Sequence, residues 1–193
     1  MSLAQYVPVM INSELNGLAK NRFIDEETQL ALASHPYLLC RQHLASNPRI
    51  TDKAVDVLLA GRASSVKWAL VGSNRLDSRP GVIEEVYFGT NSSFKKSWRL
   101  GMNFLRGGWY GRAPNTPASV LKDIYNKVIE PAAGNSNPGQ YYYSYWGRHL
   151  AEHPNVTKEL AVQMSLSECD KTRKAAFDAI VRLRREELSA ANT

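Results

Sequence analysis

The pentapeptide Leu32-Ala33-Ser34-His35-Pro36 returns twelve residues later as Leu44-Ala45-Ser46-Asn47-Pro48, and again as Leu150-Ala151-Glu152-His153-Pro154. Such recurrence constrains architecture more than any single residue does. A unit too short to bury its own apolar face must bury it against a copy of itself, so repeats imply stacking. The expectation is a series of short helices, each closed by the same punctuation. Proline just past a helix end cannot continue the hydrogen-bond ladder, so it turns the chain at a fixed place.

Ile24 and Ile50 mark a period of 26. In the first unit the pattern predicts helices over about Glu26–Ser34 and Leu38–Ser46, stopped by Pro36 and Pro48. In the second, Thr51 is the expected N-cap of a helix whose apolar face is Val55, Leu58 and Leu59, with Gly61 as its end. A further helix is expected from Val66, ending at Gly72 and Asn74. Late in the chain His149-Leu150-Ala151 aligns with His43-Leu44-Ala45, Pro154 with Pro48 and Thr157 with Thr51, an offset of 106, close to four periods. Thr157 is expected to cap a helix to about Ser165, and Asp170 to cap the last one. In that last helix Ala175, Ala176, Ile180, Val181 and Leu183 are expected inside, with Arg173, Lys174, Arg182, Arg184 and Arg185 outside.

Between these stretches the pattern loosens. Val82, Ile83, Val86 and Tyr87 predict a helix after Pro80, and Phe94 to Phe104 another. Gly107, Gly108 and Gly111 predict a loop. Thr116-Pro117 reads as cap followed by first helical residue, opening a stripe of Val120, Leu121, Ile124, Tyr125 and Val128 that ends before Pro131. Residues 132–139 read as a loop, and no strand pair is indicated.

Leu44-Ala45, Asn47-Pro48, Ile50-Thr51, the Val57-Leu58-Leu59-Ala60 run and Val66-Lys67-Trp68-Ala69 together resemble the variant leucine-rich repeat, and are similar to compact HEAT-like repeats. The resemblance implies an all-α, single-domain, right-handed α-solenoid over residues 1–193. Its regular repeats lie at about 23–75 and 140–190, around an irregular middle at 76–139. Some members of the variant family hold an iron–sulfur cluster in a cysteine-rich segment. Cys40 and Cys169 are the only cysteines of this chain, so that cofactor is not implied. The default reading of the two thiols is a reduced, cytoplasmic protein that buries both as small apolar groups, a bridge between them being the alternative. No run approaches the roughly 18 apolar residues that a membrane span needs. The first twenty residues lack the basic start of a secretion signal.

Charge singles out one region. The net charge is +6, and from Val86 to Lys122 there is no acidic residue while Lys95, Lys96, Arg99, Arg106, Arg112 and Lys122 supply six positive ones. Of 18 aromatic residues, 13 fall between Tyr87 and Trp146. Cations neutralise phosphates or carboxylates, and aromatic faces stack on bases or fill protein pockets. Lys95, Lys96, Trp98, Arg99, Arg106, Trp109, Tyr110 and Arg112 are therefore the candidate binding residues. The macromolecular partner is expected to present an acidic surface. The leading expectation is a protein-interaction adaptor, and the alternative is a nucleic-acid binder using the same residues.

Catalytic signatures are missing from the sequence. No Gly-x-Ser-x-Gly elbow, Walker loop or dinucleotide glycine pattern occurs. His149 and His153 have the i, i+4 spacing of zinc peptidases, but Leu150 stands where those enzymes need glutamate, and Pro154 ends the helix. His153 shares its repeat position with His35 and Asn47, so the expectation is a turn-forming role and no metal. The chain is expected to be non-enzymatic and to hold no cofactor.

Overall fold

The computed structural model describes residues 2–90, 115–133 and 140–192; every described element is helical, with no strand among them. The chain forms two compact units, Met1–Ser78 and Arg79–Thr193, each described by itself.

The first unit opens with a 3₁₀ segment, Ala4–Val9, followed by α1 (Asn12–Lys20), α2 (Glu26–Ser34), α3 (Leu38–Ala45), α4 (Asp52–Ala60) and α5 (Ser64–Gly72). Alternate helices pair: α1 packs on α3 and α3 on α5, while α2 packs on the 3₁₀ segment and on α4. The start of each helix follows its predecessor in the same row by 26 residues, as the period requires: 12, 38 and 64 in one row, 26 and 52 in the other. Leu15, Leu32, Leu44 and Leu70 are fully buried between the rows, each contributing roughly 2 kcal/mol of apolar transfer.

The caps explain why the helices begin where they do. The Asp25 carboxylate accepts the Thr28 N–H at 2.7 Å, and Thr51 Oγ1 accepts the Ala54 N–H at 3.4 Å one period later. The Thr28 hydroxyl, and then this N–H, hold the Asp25 carboxyl below the usual carboxylate range. The cross-repeat bonds also translate. Asn47 Nδ2 donates to the Ala19 carbonyl at 2.8 Å, and 26 residues on Ser73 Oγ donates to the Ala45 carbonyl at 2.7 Å. Buried Gln29 ties α2 to the turn before α4: its Oε1 accepts the Thr51 N–H at 2.7 Å and its Nε2 donates to the Ile24 and Arg49 carbonyls.

The second unit contains α6 (Pro80–Thr90), α7 (Ala118–Ile124), α8 (Glu130–Ala133), α9 (Gln140–Ala151), α10 (Lys158–Met164) and α11 (Asp170–Ala190). Helix α6 packs on α7, and α11 packs on both α9 and α10. Thr157 caps α10 as expected, accepting the Leu160 N–H at 3.2 Å. The core is Ile83, Val86, Tyr87, Val120, Ile124, Tyr125, Trp146, Leu150, Leu160 and Met164. No helix among the described residues is long and apolar enough to cross a membrane.

Several local expectations are corrected. The α7 stripe does not stop before Pro131: a π-helical turn, Tyr125–Ile129, carries the chain into α8. Its closing bond runs from the Glu130 N–H to the Tyr125 carbonyl, five residues back, and this wider turn makes room for a proline that an α-helical ladder would exclude. Pro117, not Thr116, holds the N-cap position of α7 with an extended backbone, and Thr116 is buried instead. The N-cap of α11 is Cys169; Asp170 is the first helical residue, its carboxylate drawn to Arg173. Within α11 the buried residues are Thr172, Ala175, Ala176 and Ala179, while Val181 is 49% exposed. The sequence places Val181 inside only if the whole helix is covered, yet from residue 180 to 192 no residue is buried. The predicted helix at 94–104 and the loop at 107–111 lie outside the described residues. Of the predicted loop at 132–139, Ala132 and Ala133 belong to α8 and the rest is likewise outside.

Candidate functional site

Lys95, Lys96, Trp98, Arg99, Arg106, Trp109, Tyr110 and Arg112 all fall within 91–114, outside the described residues. What the structure does describe is how the chain leaves and returns. Helix α6 ends at Thr90, and the chain is described again from Asn115, just ahead of α7, the helix that packs on α6.

Three bonds hold this exit and entry. The Tyr87 hydroxyl donates to Asp123 Oδ2 at 2.9 Å, and Ser119 Oγ donates to Glu84 Oε1 at 2.6 Å, both from α6 to α7. Asn155, in the turn before α10, donates through Nδ2 to the Thr116 carbonyl at 3.1 Å. Asp123 Oδ1 also pairs with Lys127 Nζ at 2.6 Å. Glu84 and Asp123, two carboxylates flanking the acid-free stretch, are thus each engaged by a residue of the facing helix. Lys122 is exposed on α7, and its charge adds to the excess.

The aromatic set divides. Tyr87, Tyr125 and Trp146 are buried and belong to the core, whereas Phe88 and Tyr145 are 42% and 49% exposed. Burial, and secondarily the Glu130 carboxylate, raises the Tyr125 phenol above its ordinary range, and its hydroxyl is buried without a hydrogen-bond partner. Tyr145 stands edge-on to the His149 ring, centroids 4.2 Å apart, and His149 Nδ1 lies 3.5 Å from Glu152 Oε2.

His153 takes the turn-forming role its repeat position predicts. Its Nδ1 accepts the Asn155 N–H at 3.1 Å, as His35 Nδ1 accepts the Tyr37 N–H at 3.1 Å. Asn47 and Asn21 make the same i to i+2 bond through Oδ1, at 2.9 Å each, and Ser167 through Oγ at 3.3 Å. Each is a side-chain acceptor closing the turn after a helix end, a job that Asn, Ser and neutral His can all perform. Among the described residues no group of three or more His, Cys, Asp or Glu side chains converges on one point.

Both cysteines are free thiols, so the bridged alternative does not apply. Cys40 is fully buried, and burial pushes its thiol up to about 11, which leaves it inert. Cys169 is only half-buried, contrary to the expectation for both.

Sequence reasoning missed the α6–α7 clamp. Glu84, Ser119, Asp123 and Asn155 have no motif in common, and only the pairing of the two helices brings them together. One usable signal was the end of the acid-free stretch itself, since Asp123 is the first carboxylate after it. No family model, curated protein or solved structure matches the chain.

Proposed function

We propose that the chain is a non-enzymatic helical-repeat binding module, a right-handed solenoid of HEAT-like or variant leucine-rich-like units. In this reading it acts as a protein-interaction adaptor, holding an acidic partner through Lys95, Lys96, Trp98, Arg99, Arg106, Trp109, Tyr110 and Arg112. The observation that carries the reading is the one-sided charge of the sequence: six cations and no carboxylate from Val86 to Lys122. The engagement of Glu84 and Asp123 by α6–α7 contacts supports it, because both carboxylates already have partners among the described residues. The 26-residue translation of caps and cross-repeat bonds supports the solenoid part, since stacked units present matching side chains at regular intervals. A cytoplasmic setting fits two unbridged thiols.

The test is capture of partner proteins from an extract by wild-type chain and by the Trp109→Ala/Arg112→Ala double variant, with thermal melting of both. Loss of a specific partner without a change in melting supports the adaptor. Retention of every partner by the double variant rejects this segment as the site. Binding to random duplex or single-stranded DNA is measured in parallel at two salt concentrations. Tight binding that falls steeply with salt, as expected for four or five phosphate contacts, transfers the site to nucleic acid.

A further inference from the structure

Helix α11 is 21 residues long and carries apolar side chains on two opposite faces. One face, Thr172, Ala175, Ala176 and Ala179, is buried. On the other, Phe177, Val181 and Leu188 are 55%, 49% and 51% exposed. At about 100° per residue these three lie within roughly 40° of one another, and they span about 16 Å of helix. Arg184 flanks the stripe, its guanidinium donating to Glu187 Oε2 at 2.9 Å. The first unit fills the position 106 residues before Phe177 with Val71, which is 1% exposed. The same site in the repeat is covered in one unit and open in the other.

Charge indicates what covers it. Asp178 and Arg185 sit seven residues apart, both displaced to the same flank of the stripe, within about 20° of each other. Among the described residues neither has an ion-pair partner, although Asp170–Arg173, Lys158–Glu187 and Arg184–Glu187 are all paired nearby. In an antiparallel pair of identical helices related by a two-fold axis, each flank faces its own copy. With the axis between residues 181 and 182, Asp178 meets Arg185 of the second copy and Arg185 meets Asp178 of the second copy. The same register sets Val181 beside the axis and Phe177 level with the gap between Arg184 and Leu188 of the second copy.

We infer that α11 is a homodimerisation helix, pairing antiparallel with α11 of a second copy through Phe177, Val181 and Leu188, with two Asp178–Arg185 bridges fixing the register. The partner is this chain itself because the stripe and its flanking charges are self-complementary under a two-fold axis. Two helix segments of this length bury less than the roughly 1,200 Å² of a standard interface, so the dimer is weak and reversible, dissociating in the range of tens of micromolar.

The experiment is sedimentation equilibrium of the full chain from about 5 to 500 μM, a range chosen to bracket a weak interface. Across the two-fold axis Asp178→Arg sets arginine against arginine, and Arg185→Asp sets aspartate against aspartate. Each variant alone should dissociate about tenfold more readily than wild type, because two attractions become two repulsions. An equimolar mixture of the two single variants should form a heterodimer, since each then supplies the charge the other lacks. The Asp178→Arg/Arg185→Asp double variant should dimerise as wild type does. Circular dichroism of each variant confirms the fold, and Val181→Lys, which buries a charge beside the axis, should be monomeric throughout. A wild-type chain monomeric at 500 μM overturns the proposal. So does a dimer indifferent to the single reversals, or a mixture that fails to associate. None of these outcomes bears on residues 95–112, so this inference and the adaptor reading stand or fall separately.

Discussion

Residues 106 apart occupy equivalent positions in the two units, yet the units use them differently. In the first, Cys40, Arg41, Asn47 and Val66 stand where the second has Trp146, Gly147, His153 and Thr172. The first unit is joined by polar side chains reaching back to carbonyls of the preceding repeat, as Asn47 and Ser73 do. The second places a buried indole at the Cys40 position and then needs room. Gly147 provides it: a Cβ there would stand 2.1 Å from Thr172 Oγ1 and 2.8 Å from its Cγ2. At these positions the first unit uses hydrogen bonds across the repeat and the second the close approach of two helices. Exchanging residues between equivalent positions tests that distinction.

The largest effect is expected at Asn47. Its amide donates to the Ala19 and Asn21 carbonyls at 2.8 Å each, while its Oδ1 accepts the Arg49 N–H. Asn47→Ala leaves these groups without their partner and should cost about 3 kcal/mol in urea unfolding. Asn47→His, which grafts in the residue of the second unit, should recover little of that. A neutral imidazole can accept from Arg49, but it cannot donate to both carbonyls. If Asn47→His is as stable as wild type, the first unit does not depend on these cross-repeat bonds.

Gly147→Ala is next. The added methyl meets the branched carbon of Thr172 as well as its hydroxyl, so α9 and α11 must separate. About 2 kcal/mol should be lost despite the better helix propensity of alanine. The Gly147→Ala/Thr172→Ala double variant removes the obstacle, so it should lose clearly less than the sum of the two single losses in the double-mutant cycle. Additive losses would place the strain elsewhere.

The reverse graft should stabilise. Thr172 Oγ1 is buried with no hydrogen-bond partner, while Val66 at the equivalent position is an ordinary core residue. Thr172→Val keeps the branched shape and removes an unsatisfied hydroxyl, so the second unit should gain about 1 kcal/mol. A loss on this substitution would show that the hydroxyl finds a partner in solution.

Local signals carried most of the helix boundaries. Asp25, Thr51 and Thr157 begin helices because a side-chain oxygen can reach a first-turn N–H, and Pro36, Pro48 and Pro154 follow helix ends because they cannot continue a ladder. Such effects operate over a few residues and are written in the local sequence. Three features were not. Pro131 reads locally as a stop, and only the π-helical turn before it allows the helix to pass. Val181 reads as core because its spacing is helical, but periodicity cannot tell whether a second apolar face has anything to cover it. The clamp at 84, 119 and 123 depends on two helices meeting side by side, a long-range event with no local signature. The candidate binding residues were chosen on charge and aromatic content, and the structure bears on their surroundings: it removes Tyr87, Tyr125 and Trp146 from the accessible aromatics.

The smallest expected effect separates His43 from His149, another equivalent pair. His149 faces a carboxylate, Glu152 Oε2 at 3.5 Å. His43 has no such neighbour; partial burial, and secondarily the Lys20 ammonium, hold its imidazole below the ordinary value of 6.5. With the folded value below the unfolded one, acid protonates the unfolded chain first between them. The unfolded state then binds more protons, so stability rises with pH across that window. The contribution of His43 is therefore complete above about pH 6.5 and is lost as pH falls through its lowered folded value. His43→Gln keeps a polar side chain of similar length but removes the titration. Its stability curve, from urea unfolding at half-unit steps between about pH 7.5 and 5, should be flatter than that of the wild type. An equally steep acid limb in the variant would assign the proton uptake to another group.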